Sequence, residues 1–254
     1  MIDVAAALAQ FETEGYARLG KYLHGAELEG LRDRVDALML GEVRHPGMFF
    51  QMDAPTGRYE DAPLGLGWQG PSLEYRKLEK LELDERIRAW IRNPLFEQVA
   101  RAALATQGPV NLYRAILFNK GPPGGSNIPW HQDAGKLWGL SRDPELQIWT
   151  ALDDAPEAEG CLEVIPKSHR WGLASPLGGV MPAAAVAQRQ ANALAHALPA
   201  QAGEVILIHN LLWHRSGRGR PGQRRRALSF CYLNGETRCT RTKRAPREFF
   251  RAFD

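Results

Sequence analysis

Residues 107–118 read Gln107-Gly108-Pro109-Val110-Asn111-Leu112-Tyr113-Arg114-Ala115-Ile116-Leu117-Phe118, and they divide the chain. Gly-Pro punctuates the pattern before it. Beyond it, Val110, Leu112, Arg114, Ile116 and Phe118 recur at a period of two, the spacing of one face of a β-strand. Upstream the period is helical. Val4, Leu8 and Phe11 mark one helix that Gly15 ends, and Tyr16 to Leu19 suits a short strand. Leu28, Leu31, Val35 and Leu38 mark a second helix, and residues 84–105 a third, broken at Asn93-Pro94. Downstream, short strands are expected near 145–152, 161–165, 204–208, 211–215 and 226–233, with an Ala-rich helix or insertion at 181–198. Helices followed by many short strands predict an α+β fold with a mainly β core, a sandwich or a barrel.

Composition narrows the class. The 254 residues are 44% hydrophobic and 24% charged, a globular balance that excludes disordered, collagenous and coiled-coil chains. No linker-like stretch interrupts them, so one domain is expected over 1–254, with helices over about 1–105 and a β core over about 108–235. The net charge of +3 is mild, but its distribution is not. From residue 200 onward 12 Lys/Arg stand against 4 Asp/Glu, a net of +8, leaving 20 against 25 before it, a net of −5. Aromatics do not interleave with the cluster Arg215, Arg218, Arg220, Arg224, Arg225 and Arg226, so a solvated loop and no nucleic-acid partner are expected there, except for Arg225, which sits in an expected strand whose alternation can point it into the barrel. Three cysteines, none in a C-x-x-C pair, and an N-terminus without a basic segment suit a cytoplasmic protein without disulfides. No apolar run reaches 18 residues, so no membrane span is expected. Oligomeric state is not legible.

Several common sites are missing, among them G-x-S-x-G, H-E-x-x-H, Walker A and G-x-G-x-x-G after a strand. Trp130-His131-Gln132-Asp133 offers something else. Residues i and i+2 of a strand share a face, so His131 and Asp133 can present a nitrogen and an oxygen to one metal. A distant histidine would complete the 2-His-1-carboxylate triad of non-haem iron sites. His169, His196, His209 and His214 are available. His209 and His214 both follow apolar runs, and the pattern does not choose between them.

Four segments, in order, make the stretch from about 110 to 233 resemble the phytanoyl-CoA dioxygenase (PhyH) family of Fe(II)/2-oxoglutarate oxygenases. They are His131-Gln132-Asp133; Gln147-Ile148-Trp149-Thr150-Ala151-Leu152-Asp153 with Gly160-Cys161-Leu162 and Ile165-Pro166-Lys167-Ser168-His169; His214-Arg215-Ser216-Gly217; and Arg225-Arg226-Ala227-Leu228-Ser229. The N-terminal helices match more loosely, through Phe11 and Glu14-Gly15-Tyr16. Lys167 stands where the family usually has Gly, and Arg218-Gly219 where Pro-Asn is common.

The resemblance implies a double-stranded β-helix, a cupin-like jelly roll of about eight strands buttressed by the N-terminal helices. It implies His131, Asp133 and His214 as Fe(II) ligands. Arg225 would hold the distal carboxylate of 2-oxoglutarate with help from Ser216. Gln132 and Trp149 would line the co-substrate pocket, and Lys80, with Lys77 as the alternative, would contribute to it. It also implies dioxygen as co-substrate, release of succinate and CO2, and hydroxylation of a small molecule. The same site type also desaturates, epimerises or closes rings. Related halogenases lack the carboxylate, so Asp133 argues against halogenation. A metal-dependent isomerase of cupin type and a 2-oxoglutarate-binding protein without turnover are the alternatives. His169 is expected to bond backbone, and His209 to pack in the core or support the site. Cys161 and Cys231 are expected to be buried. Loops 41–75 and 134–145 and the insertion at 172–200 are expected to shape the substrate pocket, with Trp68, Trp138 and Phe49 as candidate linings.

Overall fold

The computed structural model describes residues 2–242 and 246–254. Local chemistry sets the helix ends. The Asp3 side chain accepts from the Ala6 amide (3.0 Å) to start α1 (Val4–Glu14), and Gly15 stops it in the left-handed region (φ 82°). Next come β1 (Tyr16–Lys21) and α2 (Gly25–Leu40). The long aromatic stretch forms β2 (Phe49–Met52), a loop and β3 (Tyr75–Glu79). Asp84 caps α3 (Glu85–Ile91), and Asn93 with Pro94 in the first turn starts α4 (Pro94–Ala103).

The β region begins with β4 (Val110–Lys120), β5 (Ile128–Gln132), β6 (Leu146–Ala151) and β7 (Leu162–Val164). The Ala-rich insertion folds as β8 (Gly179–Val180), α5 (Ala183–Gln188) and β9 (His196–Leu198). Then follow β10 (Glu204–His209), β11 (His214–Ser216), β12 (Arg225–Asn234) and β13 (Phe250–Phe253).

Among the described residues the strands form two sheets. The larger runs β1-β10-β6-β12-β4-β3-β2, with β13 also pairing β4, and the smaller runs β8-β5-β11-β7-β9. This is the jelly roll the resemblance implied, and its pairings are antiparallel. The N-terminal third does more than buttress it, because β1, β2 and β3 are strands of the larger sheet.

Strand alternation splits the core. Leu146, Ile148, Leu207, Leu228, Phe230 and Tyr232 join the cluster that packs Phe11, Leu31, Val35, Ile87 and Phe96 of the helices. Their neighbours Trp149, Ala151, Ile206, Ile208 and Ala227 pack with Leu162 and Val164 of the smaller sheet. The space between the sheets is therefore lined by alternate residues of β6, β10 and β12.

One expectation fails in β4. The register slips by one residue between Cys231↔Arg114 and Tyr232↔Leu112, which makes Tyr113 the extra residue of a bulge. The period of two read from Val110 to Phe118 thus changes faces part-way. Val110 and Leu112 pack toward the helices, whereas Arg114, Ile116 and Phe118 face the cavity between the sheets.

The basic loop also needs correction. Arg224 grips Asp36 of α2 with two nitrogens (2.8 and 2.7 Å), and Arg226 binds Asp153 and Asp36. Arg215 pairs with Glu163 (2.8 Å). Much of the C-terminal positive excess is spent on acids of the earlier chain.

The helix side of the sheet also holds a pH-sensitive contact. His209 stacks on Phe11 (centroids 5.7 Å apart), lies 5.0 Å from the His169 ring and accepts from the Leu211 amide (3.0 Å). Burial, reinforced by His169, lowers its pKa from 6.5 to about 4. The unfolded chain therefore binds the proton first, so stability falls as pH drops from about 6.5 to about 4 and then levels off. The loss from this group is at most about 3 kcal/mol. Urea midpoints measured between pH 7 and pH 4 should fall less steeply for His209→Gln than for the wild type. Parallel slopes would refute the assignment.

Candidate metal centre

β5 and β11 are neighbours in the smaller sheet, and His131 pairs directly with His214 across them. Asp133 follows β5, its amide bonded to the Asn210 carbonyl (2.9 Å). The ligand atoms of His131, Asp133 and His214 all lie within 4.8 Å of one another, a spacing that can hold a metal ion. The two rings are 3.9 Å apart, and His214 Nε2 is 3.5 Å from Asp133 Oδ2.

The ring nitrogens are already assigned by their surroundings. His131 Nδ1 bonds the Pro129 carbonyl and His214 Nδ1 bonds the Leu212 carbonyl, each at 2.8 Å. A carbonyl accepts only, so each Nδ1 carries the proton and each Nε2 keeps a lone pair for a metal. Burial lowers the His131 pKa to about 4, and His214 beside it acts in the same direction, so the ring is neutral at pH 7 as a ligand must be. Burial alone would raise the Asp133 pKa. The contact with His214, the charge that His131 gains once protonated in acid, and Arg114 outweigh it and hold the carboxyl below its usual range.

Behind the carboxylate runs a relay of hydrogen bonds from the larger sheet. Gln147 Nε2 donates to Asp133 Oδ2 (2.8 Å), and Ser229 Oγ donates to Gln147 Oε1 (3.1 Å). Such partners fix a ligand's orientation. Sequence reading quoted both residues but gave neither a role. The available signal was that Gln147 and Trp149 share one face of β6.

A narrow recess leads from the triad between the sheets. It is lined by Trp149, Leu162, Ile208, Ser216, Arg225 and Ser229 with the triad itself. Arg225 is 3% exposed. Its Nη2 bonds the Gly160 carbonyl, its Nε is buried without an acceptor, and no carboxylate lies within 4 Å of it among the described residues. Burial pulls its pKa down to about 10, against the opposing pull of Cys161 and Asp153, so it remains a cation at neutral pH. Ser216 Oγ is likewise buried without a partner. Buried donors left unmatched beside a cavity are the mark of a missing acceptor.

Two expected lining residues sit elsewhere. Gln132 lies between His131 and Asp133, so it points to the opposite face. Its Nε2 donates to the Gly172 and Leu211 carbonyls (2.9 and 2.6 Å) and its Oε1 accepts from Ala174 (2.8 Å). It fastens loops around the triad and does not line the recess. Lys80 lies just past β3 in a left-handed turn (φ 67°) and lines neither cavity, whereas Lys77 lines the wider one. His169 bonds the Glu12 carbonyl (3.1 Å) and lies away from the triad. Trp138 lines the wider cavity, Phe49 packs under Lys77, and Trp68 lies under Arg44.

That wider cavity, about 470 Å³, opens on His131 and Asp133. All three expected segments contribute to it: Gln51, Tyr59 and Ala62 from the first, Leu137 and Trp138 from the second, Gly179 and Val180 from the insertion.

Comparison with known proteins agrees with this layout. The sequence profile of phytanoyl-CoA dioxygenase (PhyH) matches residues 11–227. The chain belongs to the phytanoyl-CoA dioxygenase family. The phytanoyl-CoA dioxygenase domain-containing protein 1 of Bos taurus is 30% identical over 155 residues, which is 58% of this chain and 53% of that relative. The chain thus spans about half of that relative's length. EctD from S. alaskensis, solved with 2-oxoglutarate and 5-hydroxyectoine, superposes with a TM-score of 0.73 at 20% identity over 96% of this chain and 81% of that one. The epimerase SnoN, solved with Fe3+, alpha ketoglutarate and nogalamycin RO, superposes with a TM-score of 0.71 at 18% identity over 95% and 88%. At these identities the two structures establish that this PhyH-family chain shares their fold.

Proposed function

We propose that the protein is an Fe(II)/2-oxoglutarate-dependent oxygenase that hydroxylates a small molecule. The observation that carries the reading is one recess with a metal-competent triad at one end and an unpaired, buried arginine at the other. The donor set fits the group. Two neutral imidazoles and a carboxylate suit Fe(II) and leave positions open. Arg225 and Ser216 offer a planar fork and a hydroxyl to a carboxylate, which a lysine ammonium would not match.

Bound there, iron with 2-oxoglutarate and dioxygen would supply the oxidising power to break a C–H bond, the keto acid leaving as succinate and CO2. The chain's own work is placement. His131, His214 and Asp133 hold the metal, while Gln147 and Ser229 keep Asp133 turned toward it. Arg225 and Ser216 hold the distal carboxylate, so that the keto acid points at the triad. Trp149, Leu162 and Ile208 wall the recess against water, and the wider cavity admits the substrate beside His131 and Asp133. No helix among the described residues is long and apolar enough to cross a membrane, and the three unpaired thiols suit the cytosol.

Anaerobic addition of Fe(II) and 2-oxoglutarate should produce a visible charge-transfer band. A protein that gives none is not an oxygenase of this kind. The fold is shared with an epimerase, so the second reading is epimerisation. Mass spectrometry of the turned-over product separates the two: hydroxylation adds one oxygen atom and epimerisation adds none.

A further inference from the structure

The wider cavity mixes apolar and basic side chains. Ile116, Phe118 and Trp138 line it, with Leu137 (60% exposed) and Val180 (45% exposed). Arg76, Lys77 and Arg114 line it beside them. Lys77 is spent on Glu79 (2.8 Å). Among the described residues Arg76 has no ion pair, and Arg114 has only a long one to the same Glu79.

Arg76 is 8% exposed and lies 4.8 Å over the Tyr59 ring. Among the described residues it has no hydrogen-bond acceptor and no carboxylate within 4 Å. Arg114 sits where the β4 bulge turns its side chain into the cavity, 4.6 Å over the Trp138 ring. Its Nε is buried without an acceptor, and the nearest carboxylate oxygen, Glu79 Oε2, is 3.9 Å away, beyond hydrogen-bond reach. The acids nearby offset this charge only in part. Asp53, which acts on Arg76, accepts from the Ser126 amide (2.9 Å), Glu60 pairs with Arg58 (2.8 Å), and Asp133, which acts on Arg114, belongs to the metal triad. Both guanidiniums are stacked on aromatic faces, which holds their donor edges ready. Desolvating Arg76 without an ion pair is costly, and such a cost persists where a ligand repays it; Arg114, whose charge Glu79 and Asp133 support, still holds an unmatched Nε toward the cavity.

We propose that the substrate of this site carries an anionic oxyacid group, a carboxylate or a phosphate, held by Arg76 and Arg114, with an apolar body against Leu137, Val180 and Phe118. The proposal deepens the oxygenase reading and rests on it.

Calorimetry on the anaerobic Fe(II)/2-oxoglutarate protein tests it with matched probes: 3-phenylpropanoate against 3-phenylpropanamide, and 2-phenylethyl phosphate against 2-phenylethanol. At least one acid should bind roughly 10- to 100-fold tighter than its neutral twin, and the better arm identifies the oxyacid. Arg76→Gln and Arg114→Gln should each cut that preference about tenfold or more while retaining the visible 2-oxoglutarate band. Acids that bind no tighter than their twins, absence of all binding included, would overturn the proposal. Loss of the band in Arg114→Gln would also overturn it, by assigning Arg114 to 2-oxoglutarate. A wild-type protein that forms no band yet prefers the acids would refute the oxygenase reading and leave the anion site supported.

Discussion

Protein carrying His214→Ala should hold Fe(II) at least roughly 100-fold more weakly than the wild type and release no succinate. The expectation follows from how the triad is built. His131 and His214 face each other across one pair of strands, and Asp133 comes from the turn that follows. Each side chain supplies one ligand atom, so removing one leaves two, and no other His, Cys, Asp or Glu completes the group among the described residues. The fold should survive the change. The lost imidazole makes a single hydrogen bond, to the Leu212 carbonyl, and Asp133 keeps Gln147. Asp133→Asn tests the charge separately, because it keeps the shape but removes the anion that balances a dication. A graded result is expected from Gln147→Leu, which frees Asp133 to rotate and should weaken the metal about 10- to 100-fold. Metal binding read by calorimetry, with circular dichroism as the control for folding, orders the variants. Undiminished affinity in His214→Ala would remove the metal centre.

How much of this site the sequence displayed depends on how far apart its parts lie. His131 and Asp133 were legible because strand periodicity is local, and the same rule should have turned Gln132 away. His209 and His214 were not separable by pattern, since both end apolar runs. What separates them is a partner 83 residues upstream: His214 pairs with His131 on β5, while His209 pairs with Leu146 on β6. The Tyr113 bulge was hidden for the same reason. An extra residue shows only against the facing strand, and without it Arg114 reads as a member of the Val110–Leu112 face. Lys80 was one turn too late, because β3 ends at Glu79 and the chain bends there. The basic cluster looked solvated because Asp36 and Asp153, which absorb Arg224 and Arg226, are 188 and 73 residues away. Residue types and local spacing carry the chemistry. Register and long-range pairing decide which copies use it.

The largest loss of co-substrate binding should come from Arg225→Met, and it should come with no loss of stability in the ligand-free protein. The two halves share one cause. In the absence of an anion the guanidinium is buried with one bond to the Gly160 carbonyl, an unpartnered Nε and no carboxylate within 4 Å among the described residues. A buried charge without a counter-ion opposes folding, so an apolar side chain of similar length should leave the thermal midpoint unchanged or raise it. A carboxylate placed against that guanidinium gains two charge-assisted bonds in a dry recess. Truncating one partner of such a pair costs about 2–5 kcal/mol, or roughly 30- to several thousand-fold in affinity. Arg225→Lys should fall between, because an ammonium keeps the charge but not the parallel fork. Ser216→Ala removes only a neutral hydroxyl and should lose about tenfold or less. The discriminating measurement is the thermal midpoint with and without 2-oxoglutarate at fixed metal. The wild type should shift upward with ligand, and Arg225→Met should start at least as high and not shift. A variant that starts several degrees lower yet still shifts fully would make Arg225 a strut between β12 and the Gly160 turn and leave the distal carboxylate without its anchor.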